Sequence, residues 1–311
     1  QKIFDEQKIK VDPKRQIMVT NGANQAFINT ILSITDPGDE IIFFSPTYFN
    51  YVMAVKMFGC KPVLVETDEN YQPDISILSE NLSHKTKAIV TISPNNPTGA
   101  VYHLETIKLI NQLCKDHSLY HISDEVYEYF LFDDSTHHSP LTFDGSLSHT
   151  ISLFSLSKSF ALSGYRIGYM VFPEHLYKDL LKVQDTVSIC APSLSQIAAI
   201  NAIPLRNYCF QKNERMLLKN RKIVKSMISK IDGINLVMTK GAYYFFITVD
   251  SSFSSFQLAK ELAEKYNVIV LPGSLFDHEG CSFRLSYGNM NGTVLKEGMI
   301  RLTNGLMKII N

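Results

Sequence analysis

The segment Ser155-Leu-Ser-Lys-Ser-Phe-Ala-Leu-Ser-Gly-Tyr-Arg-Ile-Gly168 sets one lysine, Lys158, between Ser157 and Ser159. Arg166 follows eight residues later and Gly168 two beyond that. The run just before it, Thr150-Ile-Ser-Leu-Phe154, is β-branched and aromatic and reads as a strand. A lysine on the turn after a strand, buried and crowded by a second cation, gains the free amine needed to attack a carbonyl carbon. Alone, Ser-x-Ser-Lys is more often a helix cap beside a surface lysine. The rest of the chain decides between the two.

Working outward from this turn, short apolar runs alternate with helical stretches. Gln16-Ile-Met-Val-Thr20, Glu40-Ile-Ile-Phe-Phe44, Lys61-Pro-Val-Leu-Val65, Ala88-Ile-Val-Thr-Ile92, Leu119-Tyr-His-Ile-Ser123, the run 150–154 and Ile167-Gly-Tyr-Met-Val171 make seven strands. Near-continuous apolar strands separated by helices predict an α/β fold, a mostly parallel seven-stranded sheet sandwiched by helices. Ligands of such sheets bind beyond the carboxyl ends of the strands. Near Leu205 the character changes to a long, basic, amphipathic helix over 207–231, followed by strand runs at 241–247 and 281–286. Interleaved Met216, Leu217, Ile223, Val224 and Ile228 make that helix a solvated packing helix rather than a nucleic-acid surface. The division expected is a large domain over 1–204 and a smaller α+β C-terminal domain over 205–311.

Composition narrows the class. The 311 residues are 45% hydrophobic and 19% charged, ordinary for a globular enzyme. Thirty basic residues balance thirty acidic ones, which gives no electrostatic argument for nucleic acid or a membrane surface as partner. The five cysteines are scattered without metal-ligand spacing, and reduced thiols in the cytoplasm are the expectation. No run approaches the ~18 apolar residues of a membrane span. The run Asp133-Asp-Ser-Thr-His-His138 carries metal-type side chains but reads as a solvated loop, and no metal site is expected.

Five further groups sit just after strands or in the C-terminal part. Asp124 closes the fifth run, with Tyr127 three residues on. Ser93-Pro-Asn-Asn-Pro-Thr-Gly99 is a proline-fixed turn carrying Asn96, 28 residues before Asp124 and 62 before Lys158. Thr20-Asn-Gly-Ala-Asn-Gln-Ala26 opens a helix straight after a strand, where free amides and the positive helix end suit a phosphate. Pro46-Thr-Tyr48 follows the second strand, and Arg284 lies in Phe-Arg-Leu-Ser-Tyr-Gly288.

Together, and in this order, these pieces resemble the class I/II aminotransferases of the fold-type I pyridoxal 5'-phosphate (PLP) enzymes, with the likeness running from about Val11 to the C-terminus. The resemblance implies the PLP-dependent transferase fold, PLP as cofactor and a Schiff base to Lys158. It implies Asp124 as the anion at the pyridine nitrogen and Tyr127 and Asn96 as partners of the ring oxygen. Tyr48 would stack on the ring, while Gly22, Ala23, Asn24, Ser155, Ser157 and Arg166 would hold the phosphate. Arg284, with Asn96, would grip the substrate carboxylate. The implied reaction moves an amino group from an amino acid to a 2-oxo acid in a homodimer, whose crossing segment the loop 187–193 resembles. Elimination by a C–S lyase, decarboxylation, or a PLP-binding protein with little turnover are alternatives on the same site. Family members carry an arm ahead of the phosphate-binding segment, which this sequence lacks. Tyr48, Phe49, Phe130 and Tyr165 hint at an aromatic or aliphatic side-chain pocket.

Overall fold

A computed structural model describes residues 1–145, 147–288 and 290–310, with the side chains of 211–213 left aside. Seven strands form the principal sheet: β1 (Ile17–Thr20), β2 (Glu40–Ser45), β3 (Lys61–Glu66), β4 (Thr86–Ile92), β5 (Tyr120–Asp124), β6 (Thr150–Ser155) and β7 (Gly168–Val171). Their order across the sheet is β1-β7-β6-β5-β4-β2-β3. The pairs from β3 through to β6 are parallel, and β7 runs antiparallel to both its neighbours. All six residues of β2 and of β6 are buried, the mark of strands covered on both faces. The mostly parallel α/β sheet expected from the apolar runs is therefore present.

The antiparallel β7 has a local cause. It is joined to β6 by the short excursion 156–167, and a connection without a crossover helix can only return the chain antiparallel. Ser155 pairs with Gly168, and Gly168 pairs with Thr20 of β1. Three segments thus meet at one glycine. A Cβ on Gly168 would lie 2.6 Å from the Phe154 carbonyl oxygen and 3.0 Å from the backbone of Gly22, so no other residue fits this junction. That register holds the lysine turn against the start of the helix Ala23–Ile34.

A second, antiparallel sheet of order β10-β11-β9-β8 comprises β8 (Ile234–Leu236), β9 (Tyr244–Val249), β10 (Leu271–Pro272) and β11 (Ser282–Ser286). Two of these strands escaped the sequence reading, because three- and two-residue strands carry no measurable alternation. The strand expected from Gly241 begins only at Tyr244; Gly241 instead makes an isolated bridge with Leu131. The long helix runs Arg206–Ile228, and its Arg221 is buried against Phe132 and Phe245 while pairing with Asp133 at 2.6 Å. In the loop 133–138, Asp133, Asp134 and Thr136 are exposed and the other three residues half-buried, and His137 departs from expectation: its Nε2 sits 2.8 Å from the buried Glu125 carboxylate. Among the described residues, no group of three or more His, Cys, Asp or Glu could hold a metal ion, and no helix is long and apolar enough to cross a membrane.

Candidate active site

The carboxyl ends of β4, β5 and β6, the start of helix Ala23–Ile34 and the edge of the small sheet enclose a cavity of about 290 Å³. Its wall contains Ala23, Asn24, Tyr48, Asn96, Asp124, Tyr127, Ser155, Ser157, Lys158, Arg166 and Arg284. Residues separated by up to 261 positions converge there (284 minus 23). Gly22 stands directly behind the wall as the N-cap of the helix, with φ 86° and ψ 173°, a conformation open essentially to glycine alone.

At the helix-start end of the cavity, a Cβ on Gly22 would lie 2.7 Å from Arg166 Nη2, so the missing side chain is what lets the guanidinium lie across the helix start. Arg166 is itself held by Nη1 donating to the Ser163 carbonyl at 2.9 Å. Ser155 Oγ accepts from the Ser157 amide at 3.1 Å, which shapes the turn that leads to Lys158. Lys158 is half-buried, and its Nζ lies 5.8 Å from the centre of the Tyr127 ring.

At the opposite wall, Asp124 ends β5 and is buried. Its Oδ1 accepts from the Val126 amide at 3.0 Å and its Oδ2 from the Tyr51 hydroxyl at 2.8 Å. Burial nevertheless pushes its pKa up to about 6, against the lowering effect of these bonds and of Lys158. Burial also pushes the Tyr51 and Tyr127 phenols well above their usual range, so both remain protonated.

On the small-sheet side, Arg284 of β11 donates from Nη1 to Asn96 Oδ1 at 2.6 Å. Its guanidinium lies 4.3 Å from the Tyr244 ring centre, and the Tyr244 and Tyr127 hydroxyls hydrogen-bond at 2.7 Å. Arg284 Nε is buried with no partner among the described residues.

The sequence reading missed Tyr51 and Tyr244 as wall residues. Tyr51 had a signal: it stands three residues after Tyr48 in a helical turn, the spacing that puts both on one face. Tyr244 lies in a continuous aromatic run, Tyr243-Tyr-Phe-Phe246, in which nothing marks one ring as facing a cavity. Phe49 does line the cavity, but Phe130 and Tyr165 do not. Phe130 packs on Tyr127, Tyr243 and Phe210, and Tyr165 is half exposed.

A lysine, a buried carboxylate, an arginine at a helix start and a second arginine on a separate sheet thus meet in one cavity. Family comparison agrees: the family model "Aminotransferase class I and II" matches residues 1–302, and the chain belongs to that family. It is 32% identical over 306 residues to an aromatic aminotransferase of Arabidopsis thaliana, covering 95% of this chain and 76% of that protein. It is 32% identical over 308 residues to an aspartate aminotransferase of Pyrococcus abyssi, covering 97% and 79%. The fold superposes on the crystal structure of an aromatic aminotransferase from Pyrococcus horikoshii with a TM-score of 0.94 at 32% identity, covering 99% of this chain and 83% of that one. This chain is a PLP-dependent aminotransferase.

Proposed function

We propose that the cavity binds PLP through the residues named from the sequence and transfers an amino group between an amino acid and a 2-oxo acid. The observation that carries this is the single cavity holding Lys158, Asp124, Arg166 and Arg284. The fit to the cofactor rests on the Gly22 cradle, which any Cβ would fill, and on a donor set that suits a phosphate dianion. When bound, PLP supplies an electron sink for the bonds at the amino-acid Cα.

The chain's own groups do the remaining work. Lys158 would hold the cofactor, and its amine, when free, would carry the Cα proton as general base and acid. Asp124, fixed by Tyr51 and the Val126 amide, holds a proton at the ring nitrogen. Tyr127 donates toward the ring oxygen, with Tyr244 as its alternate partner, and Asn96 orients between that oxygen and Arg284. Arg284 takes the substrate α-carboxylate, and its unpartnered Nε is a donor free to do so. Tyr48 covers the ring face. Gly22, Ala23, Asn24, Ser155, Ser157 and Arg166 take the phosphate.

The working unit is a cytoplasmic homodimer, with a large domain over 1–204 and a small domain over 205–311. Exposed Ile189, Leu194 and Ile200, at 72%, 77% and 70%, support a subunit contact on that face. The test is a single-turnover assay with a panel of amino donors. A shift in cofactor absorbance with release of one equivalent of 2-oxo acid is expected; release of ammonia or carbon dioxide instead would replace the proposal.

A further inference from the structure

We propose that Gln25 is a positioning residue for the cofactor phosphate: it ties the peptide ahead of Gly22 to the end of the helix Tyr177–Ser188 and so fixes the angle at which the cradle is presented. The inference rests on the PLP reading above, in which Gly22 and Arg166 take the phosphate.

The geometry starts from the cap. Gly22, the N-cap of the helix Ala23–Ile34, has no side chain with which to bind its own first turn. Gln25, the third residue of that helix, takes over: its Oε1 accepts from the Asn21 amide at 2.6 Å. A glutamine at this position commonly reaches back to the amide of the N-cap itself. Here it reaches one residue further and holds the peptide that enters Gly22. The Asn21 carbonyl accepts from Arg166 Nη2 at 3.4 Å. Asn21 is therefore held by Gln25 at its N–H and by Arg166 at its C=O, directly before the positive-φ turn at Gly22.

The other end of the Gln25 amide is anchored as well. A backbone N–H can only donate, which makes Oε1 the atom facing Asn21 and leaves Nε2 to donate to Ser188 Oγ at 2.6 Å. Ser188 lies 163 positions away and is the last residue of its helix. Ile189, at φ 58°, stops that helix in a conformation a β-branched side chain seldom adopts. One turn back, Gln184 Nε2 also donates to Ser188 Oγ at 3.5 Å, and Gln184 Oε1 accepts from Asn29 Nδ2 at 2.6 Å. Gln25, Asn29 and Gln184 are all buried. An apolar seam would also pack two helices together. A buried chain of amides admits one relative setting, because any slip leaves a desolvated N–H or C=O unpaired.

The test compares PLP with pyridoxal, which lacks the phosphate, by absorbance titration of the protein stripped of cofactor. Gln25→Met keeps the volume and removes both hydrogen bonds. PLP affinity should fall roughly tenfold while pyridoxal affinity stays within about twofold of wild type. The phosphorus NMR resonance of bound PLP should move toward that of the free cofactor. Ser188→Ala, at a half-buried position, removes only the far anchor. It should give a smaller loss in the same direction, and added to Gln25→Met it should cost nothing more. Equal losses for both ligands would make Gln25 a packing residue and overturn the proposal, as would an unchanged PLP affinity. Full additivity of the two variants overturns the bridge to Ser188. If Gln25→Met does not fold, Ser188→Ala decides alone, and no selective loss of PLP affinity there overturns the proposal. A wild-type protein that binds pyridoxal as tightly as PLP refutes the phosphate reading itself rather than the role of Gln25.

Discussion

Tyr51 donates its hydroxyl to Asp124 Oδ2 across 2.8 Å, and both side chains are buried. The Tyr51 ring is stacked on Phe27 at 3.9 Å with an interplanar angle of 17°, which fixes the donor in place. With Oδ1 held by the Val126 amide, the carboxylate of Asp124 is anchored on both oxygens before any ring nitrogen reaches it. A preorganised anion of this kind is stronger than one that must reorient.

Tyr51→Phe removes that anchor and leaves the ring packing. Loss of one hydrogen bond to a charged group should lower turnover and cofactor affinity by about tenfold each, with little change in thermal stability. Absorbance titration with PLP and steady-state rates check this. Unchanged values would show that Asp124 is held by its backbone contact alone.

Asp124 gives a pH signature in the protein stripped of cofactor. Its pKa is raised from 3.8 to about 6, mainly by burial. Between those values the folded chain keeps a proton that the unfolded chain has lost. The contribution therefore favours folding below about pH 4 and disappears as pH rises through about 6. Asp124→Asn should stabilise the stripped protein at neutral pH by on the order of 1–3 kcal/mol, and by far less at pH 4. Glu128, pushed up to about 7 chiefly by burial, titrates in both proteins and cancels in the comparison. Denaturant midpoints at the two pH values measure the difference, and an equal gap at both would contradict the assignment.

The α/β alternation and most of the site were legible because β-runs and turn residues are local signals. Lys158, Asp124 and Asn96 each close or follow an apolar run, and the carboxyl-end rule groups them as the cavity wall does. What was not legible is long-range. Tyr244 meets Tyr127 across 117 positions, and the pairing of Ser155 and Thr20 through Gly168 depends on sheet order. Phe130 and Tyr165 were misplaced because an aromatic residue next to a motif carries no sign of which way its ring turns.

Gly22→Ala tests the cradle. The substituted residue must hold a backbone conformation that costs about 1–3 kcal/mol, and its Cβ meets Arg166 Nη2 at 2.7 Å. PLP affinity should drop at least tenfold, roughly, by displacement of the guanidinium. Gly164→Ala, which meets nothing within 4 Å, should leave affinity unchanged and serves as the control.

Arg284→Ala should raise KM for the amino donor through loss of a two-pronged ion pair worth on the order of 2–5 kcal/mol. PLP affinity should stay within about threefold of wild type, since Arg284 hydrogen-bonds Asn96 and lies against the rings of Tyr244 and Phe276, away from Arg166 and Gly22. A large drop in PLP affinity with unchanged KM would place Arg284 at the phosphate.

The most direct measurement is where the cofactor attaches. The protein is loaded with PLP, reduced with borohydride, digested and mapped by mass spectrometry. A pyridoxyl group on Lys158, in the peptide containing Ser155 and Ser157, is the expected result. A pyridoxyl group on any other lysine, with Lys158 unmodified, would contradict the account.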